Sequence, residues 1–130
     1  MSQESVEIVR AANAAWNTGG MGALGEMQDP DVIVRSPKGW PEPGPFVGRE
    51  AVMRQYEQLR ETWDADALEL ISVVDASSQV VVRFVWRGVG QGPEADLALT
   101  GVYTVRRGKI FYVEFFLDHA EALEAAGLSE

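Results

Sequence analysis

An α+β fold is expected for this 130-residue chain, and two observations predict it. Apolar residues recur at helical spacing in two stretches of the N-terminal half, and from Leu68 onward the period changes to two. Helices followed by a run of hairpin-linked strands pack as a helical layer against one antiparallel sheet. The chain shows no repeat, linker or low-complexity stretch, so residues 1–130 are expected to form one domain.

Residues 4–17 read as a helix, with Val6, Val9 and Trp16 on a stripe widened by Ile8, Ala12 and Ala15. Gly19, Gly20 and Gly22 end it, and Ala23–Met27 reads as a short helical turn. Asp29-Pro30-Asp31 reads as a turn leading into a β-branched strand, Val32 to Ser36. Pro37, Pro41, Pro43 and Pro45 predict a loop over 37–45, because proline removes ladder donors. A second helix opens at Gly48-Arg49-Glu50 and runs to about Trp63. Val52, Tyr56, Leu59 and Trp63 share its apolar face, and Glu50 and Arg54 pair on the other.

Strands are predicted over Leu68–Val74, Val80–Arg87, Asp96–Arg106 and Lys109–Asp118. Ser77-Ser78 and Arg107-Gly108 read as tight turns, Gly88–Pro93 as a longer one, and Ala120–Gly127 as a short closing helix.

Composition narrows the function classes. Eleven basic and twenty acidic side chains give a net charge of −9, which argues against a nucleic-acid backbone as partner. No cysteine and a single histidine, His119, exclude disulfides, thiolate chemistry and multi-histidine metal sites. Asp64, Asp66 and Glu69 lie close together but lack calcium-loop spacing, and the acidic residues read as solvated surface. No stretch is apolar enough to span a membrane, and no basic region precedes an apolar run at the N-terminus, so a cytoplasmic location is expected.

Three stretches carry a family resemblance: Asn17-Thr18-Gly19-Gly20 at the first helix exit, Phe46-Val47-Gly48-Arg49-Glu50-Ala51-Val52 before the second helix, and Arg107-Gly108-Lys109-Ile110 through Phe116-Leu117-Asp118. With the element order, they resemble the NTF2-like superfamily of SnoaL-like polyketide cyclases, ketosteroid isomerases and limonene epoxide hydrolases. The ending is most similar to the SnoaL-like branch. The resemblance implies an NTF2-like cone, in which a curved antiparallel sheet wraps the N-terminal helices around an apolar pocket. Its outer face often makes a homodimer.

Strand alternation then sorts side chains into two faces. Aligned on that cone, Val82, Phe84, Trp86, Leu99, Gly101, Tyr103, Val113 and Phe115 point inward. Arg83, Arg87, Tyr112, Glu114 and Phe116, with Val81, Val85 and Ile110, point outward, either as a dimer face or as a half-solvated sheet with a cross-strand ion pair.

The isomerase branch implies a carboxylate, a tyrosine and a protonated aspartate at positions that fall on Ser36, Ala12 and Gly101. The hydrolase branch implies an aspartate where Phe115 stands. The cyclases imply an inward acid–base pair, for which His119 is the one imidazole, beside Asp118 or Asp31. Asp118 also reads as a helix N-cap with His119 exposed in the first turn. Trp40, in the proline-rich loop, either lids the pocket or packs the loop down.

Three readings follow. The first is a pocket lined by Trp16, Trp40, Tyr56, Leu59, Trp63, Val82, Phe84, Trp86, Leu99, Tyr103, Val113 and Phe115, holding a small hydrophobic molecule with no cofactor or metal. The second is a cofactor-independent isomerase, cyclase or dehydratase on a polyketide- or steroid-like substrate, using Asp31, Ser36, Tyr103 or His119. The third is a dimerising module whose aromatics fill the cone.

Overall fold

The computed structural model describes residues 2–90 and 92–128. Its elements run α1 (Ser2–Thr18), α2 (Met21–Glu26), β1 (Gln28–Arg35), β2 (Phe46–Val47), α3 (Arg49–Glu61), β3 (Ala65–Asp75), β4 (Val80–Gly90), β5 (Gly92–Arg106), β6 (Lys109–Phe116) and α4 (His119–Ala125). The six strands form one sheet in the order β2-β1-β6-β5-β4-β3. The sheet curls around α1 and α3 without closing, as the NTF2-like cone requires.

The sheet is mixed rather than wholly antiparallel. β3 to β6 pair antiparallel, but β1 pairs with β6 in parallel and carries the N-terminal half onto the sheet. The two-residue β2, within the stretch expected to lead into α3, pairs with β1 through Ile33 and Val34. Asp29-Pro30-Asp31, expected as a turn, lies inside β1. The parallel pairing skips from Gln28 to Ile33 there, so the missing proline donor costs no ladder bond. The Asp29 carboxylate instead accepts from the Asp31 amide at 2.8 Å. The expected long turn Gly88–Pro93 is taken up largely by strand, β4 reaching Gly90 and β5 starting at Gly92; Gln91 lies outside the described residues.

A second departure sits on β6. The β5–β6 register shifts between Thr104 and Val105, where Phe111 has no partner. Such a bulge re-aims the side chains beside it. Ile110, expected outside by strict alternation, turns inward and is 1% exposed, while the Arg106 guanidinium sits over the Phe111 ring at 3.7 Å.

The outer face is also less open than expected. α4 lies across it, burying Val81 and Val102 against Ala122. Asp118 caps α4 by accepting from the amides of Ala120 and Glu121, and His119 Nδ1 lies 2.9 Å from Thr100 Oγ1. Arg87 pairs with Glu69 and Asp96, its neighbours on adjacent strands. Those ion pairs are solvated and contribute little.

The wall at the β3–β4 end is set by a close approach. The Trp63 ring lies on Gly88, where a Cβ would come within 2.3 Å of the indole. Trp63 also meets Trp86 edge-on, with ring centroids 5.9 Å apart. Gly88→Ala should therefore displace Trp63 and destabilise the chain by about 2 kcal/mol in urea unfolding, the usual cost of overpacking. Unchanged stability would show that the ring has room to move.

Candidate functional site

The apolar stripe of α1 turns Val9, Ala12 and Trp16 toward the sheet, and that of α3 turns Tyr56 and Leu59 toward the same space. Inward positions of β4, β5 and β6 supply Val82, Phe84, Trp86, Leu99, Tyr103 and Phe115. The layers do not meet completely. They leave a cavity of about 90 Å³. One water needs roughly 10–15 Å³, so this space admits several waters or one small organic molecule.

Of the twelve residues expected to line a pocket, ten line this cavity. Trp63 and Val113 do not: Trp63 packs on Gly88 beyond the cavity wall, and Val113 is fully buried in the core. Trp40 reaches the cavity from the proline-rich loop, together with Ser36 and Pro37. Alternation over the strands alone could not show the contributions of Leu24, Gln28, Val34, Leu68 and Ile110, or of Asn13 and Gln55 on the helices.

The positions that the resemblance marked for chemistry are scattered. Ser36 and Tyr103 line the cavity. Asp31 is exposed on β1, and His119 sits on the outer face against Thr100. Ala12 leaves room where the isomerases place a tyrosine. At Gly101 a Cβ would lie 2.7 Å from the Tyr103 ring and 3.1 Å from that of Phe115, so these two rings occupy the space of an aspartate side chain.

The polar groups at the cavity are neutral. Tyr56 and Tyr103 make no hydrogen bond through their hydroxyls, and burial, reinforced at Tyr56 by the neighbouring Tyr103, pushes both well above the usual phenol range. Gln55 is 8% exposed and its amide makes no hydrogen bond. Gln28 gives its amide nitrogen to the Leu24 carbonyl at 3.4 Å, while its Oε1 is buried without a donor. None of the described lining residues is charged, and among the described residues no group of His, Cys, Asp or Glu is placed to hold a metal ion.

Behind the aromatic wall lies one carboxylate that sequence reading assigned to solvent. Asp66 has a side chain only 4% exposed. Its Oδ2 accepts from Trp16 Nε1 at 2.7 Å and from Trp86 Nε1 at 2.8 Å. Arg60 approaches its other oxygen at 3.9 Å, donates to the Trp16 carbonyl at 2.6 Å and sits over the Trp16 ring at 5.2 Å. One side chain thereby holds two walls of the cavity. Asp66→Ala would leave two indole N–H groups without their acceptor, each worth about 1–3 kcal/mol when buried. A loss of roughly 2–4 kcal/mol in urea unfolding is expected, with a smaller loss for Asp66→Asn, which keeps one acceptor. Equal losses would mean that the hydrogen bonds do not carry the effect.

A family model described as the SnoaL-like domain matches residues 9–113. No curated protein matches the chain. Among solved structures, Bal32a from a soil-derived mobile gene cassette is 22% identical, with 88% of each chain covered and a TM-score of 0.81. TerC, co-crystallised with polyporic acid, is 19% identical over 95% of this chain and 98% of its own, with a TM-score of 0.78. A protein with ketosteroid isomerase-like fold from Catenulispora acidiphila, in complex with trimethylamine, is 19% identical over 94% and 93%, with a TM-score of 0.75. At these identities the likeness is one of fold.

No described helix is long and apolar enough to cross a membrane.

Proposed function

This chain belongs to the SnoaL-like domain family, and on that footing we propose that it binds one small hydrophobic molecule in its central cavity, as a binding domain rather than through acid–base chemistry. The observation that carries this reading is the lining itself: aromatic and aliphatic walls, a few neutral polar groups, and no carboxylate or imidazole among the described lining residues. Concave, mostly apolar sites with few polar groups are the usual form of small-molecule sites. Two proteins of the same fold were crystallised with small organic molecules, which supports the reading. The alternative of a cofactor-independent isomerase, cyclase or dehydratase needs a base at the cavity; of its candidates, Ser36 and Tyr103 line the cavity as neutral hydroxyls, and Asp31 and His119 lie away from it.

A ligand present at about 100 times its Kd stabilises the folded state by about 2.7 kcal/mol. For a chain of this length that is roughly 8 °C in Tm. Single-ring aromatic probes should produce such shifts. Ala12→Trp, which fills the cavity from α1, should abolish them while the chain remains folded by circular dichroism. The absence of any shift across a panel of such probes would overturn the reading.

We also propose a homodimer through the outer face of β4 to β6. Arg83 makes no ion pair with a described residue, and Glu114 meets the Tyr112 hydroxyl at 3.5 Å, while Val85 and Phe116 on the same face are half-buried. In a two-fold interface each arginine would meet the partner's glutamate. Arg83→Glu and Glu114→Arg should each shift the chain toward monomer in sedimentation, and the two together should restore the dimer. A monomeric parent chain would refute this.

A further inference from the structure

The cavity wall carries more unanswered hydrogen-bonding capacity than a site for a pure hydrocarbon needs. Gln55 on α3 is 8% exposed, lines the cavity and makes no hydrogen bond through its amide. The next residue, Tyr56, and Tyr103 on β5 also line it with free hydroxyls, and they lie close enough that charge on one opposes charge on the other. Buried polar groups are normally paired, and the Tyr56 and Tyr103 hydroxyls, the Gln55 amide and the buried Gln28 Oε1 face one cavity without partners among the described residues, which indicates partners that come from outside. Water would satisfy them in the empty state.

From this we infer that the ligand is a neutral, single-ring molecule bearing a carbonyl or hydroxyl group, held by the Tyr56 and Tyr103 hydroxyls and the Gln55 amide. This rests on the proposed binding role of the cavity and specifies it. A single ring suits the cavity of about 90 Å³, which has room for several waters. Charge sets the neutrality. Two phenols that stay protonated can donate to an oxygen, but no described lining residue carries a charge to offset that of a carboxylate or an ammonium group. A site that hydrogen-bonds an oxygen also rejects the analogue lacking it, since the three wall groups would then be stranded.

Three probes of nearly equal shape separate the possibilities: ethylbenzene, acetophenone and benzoate, titrated by calorimetry against the full chain at pH 7. Acetophenone should bind roughly tenfold or more tighter than ethylbenzene, the factor expected for one buried hydrogen bond. Benzoate should bind at least tenfold more weakly than acetophenone. In Tyr103→Phe and in Gln55→Met, both close in shape to the original, the advantage of acetophenone over ethylbenzene should collapse. Comparison of the probes on the parent chain decides the matter even where a variant folds poorly. If ethylbenzene binds but acetophenone binds no tighter, or benzoate matches it, the inference fails and the binding role stands. If neither neutral probe binds, the binding role fails and takes the inference with it.

Discussion

Asp66 ties α1 to the sheet through hydrogen bonds to two indoles, and draws in α3 through its ion pair with Arg60. Trp16 comes from α1, Trp86 from β4, and the carboxylate that accepts from both stands on β3. Arg60, on α3, adds its bond to the Trp16 carbonyl and its place over the same ring. A buried carboxylate is costly without partners. Here the two N–H donors answer it, and the same bonds fix the planes of two large rings. The rings then set one another: Trp16 meets Tyr56 at 5.7 Å and Trp86 at 6.3 Å, both edge-on. Asn17, one residue on from Trp16, adds a second clamp. Its amide takes the Leu68 amide hydrogen at 2.7 Å and gives its own to the Leu68 carbonyl at 2.9 Å, covering part of an edge strand that would otherwise be open to pairing.

Fixed rings explain why the interior holds a cavity instead of collapsing. Edge-on pairs continue across the sheet as Phe84–Phe115 and Tyr103–Phe115, at 6.0 and 6.1 Å. A ring locked by two neighbours and a hydrogen bond cannot swing into the space beside it. Where rings need depth the strands carry glycine, at Gly88 under Trp63 and at Gly101 beside Tyr103 and Phe115. One larger side chain at Ala12 would fill much of the space of about 90 Å³, and the chain carries alanine there instead.

Much of this was legible in the residues. The alternation along Val80 to Trp86 separates the buried Val82, Phe84 and Trp86 from the exposed Arg83 and Arg87, and the stripe on α3 does the same for Tyr56 and Leu59. Alternation fails where the ladder does. The bulge at Phe111 reverses Ile110, and nothing in Lys109-Ile110-Phe111-Tyr112 announces it. β2 was hidden because two residues carry no period. Asp66 was misplaced for another reason: three acids in a short run suggest solvent, and Asp64 and Glu69 are indeed exposed. Yet Asp66 has the same parity as Leu68 and Leu70, the inward residues of β3. Extending that period two residues back, and asking which acceptor would serve the buried indoles, points to it.

The same carboxylate bears on whether acid–base work belongs in this interior. Among the described acidic side chains, Asp66 is the one hydrogen-bonded to the aromatic wall, yet it is not among the cavity-lining residues. Its Oδ2 is taken by two indoles and Oδ1 faces Arg60. A general base needs a lone pair within reach of the proton it removes. For Asp66 to reach one, Trp16 or Trp86 would have to leave its place, and the wall that shapes the cavity would go with it. The residue thus serves the cavity by holding its walls, and the hydrogen-bonding groups left facing inward are neutral donors and acceptors. That division, a charge held in the architecture and neutral groups facing the cavity, is what the proposed binding role rests on.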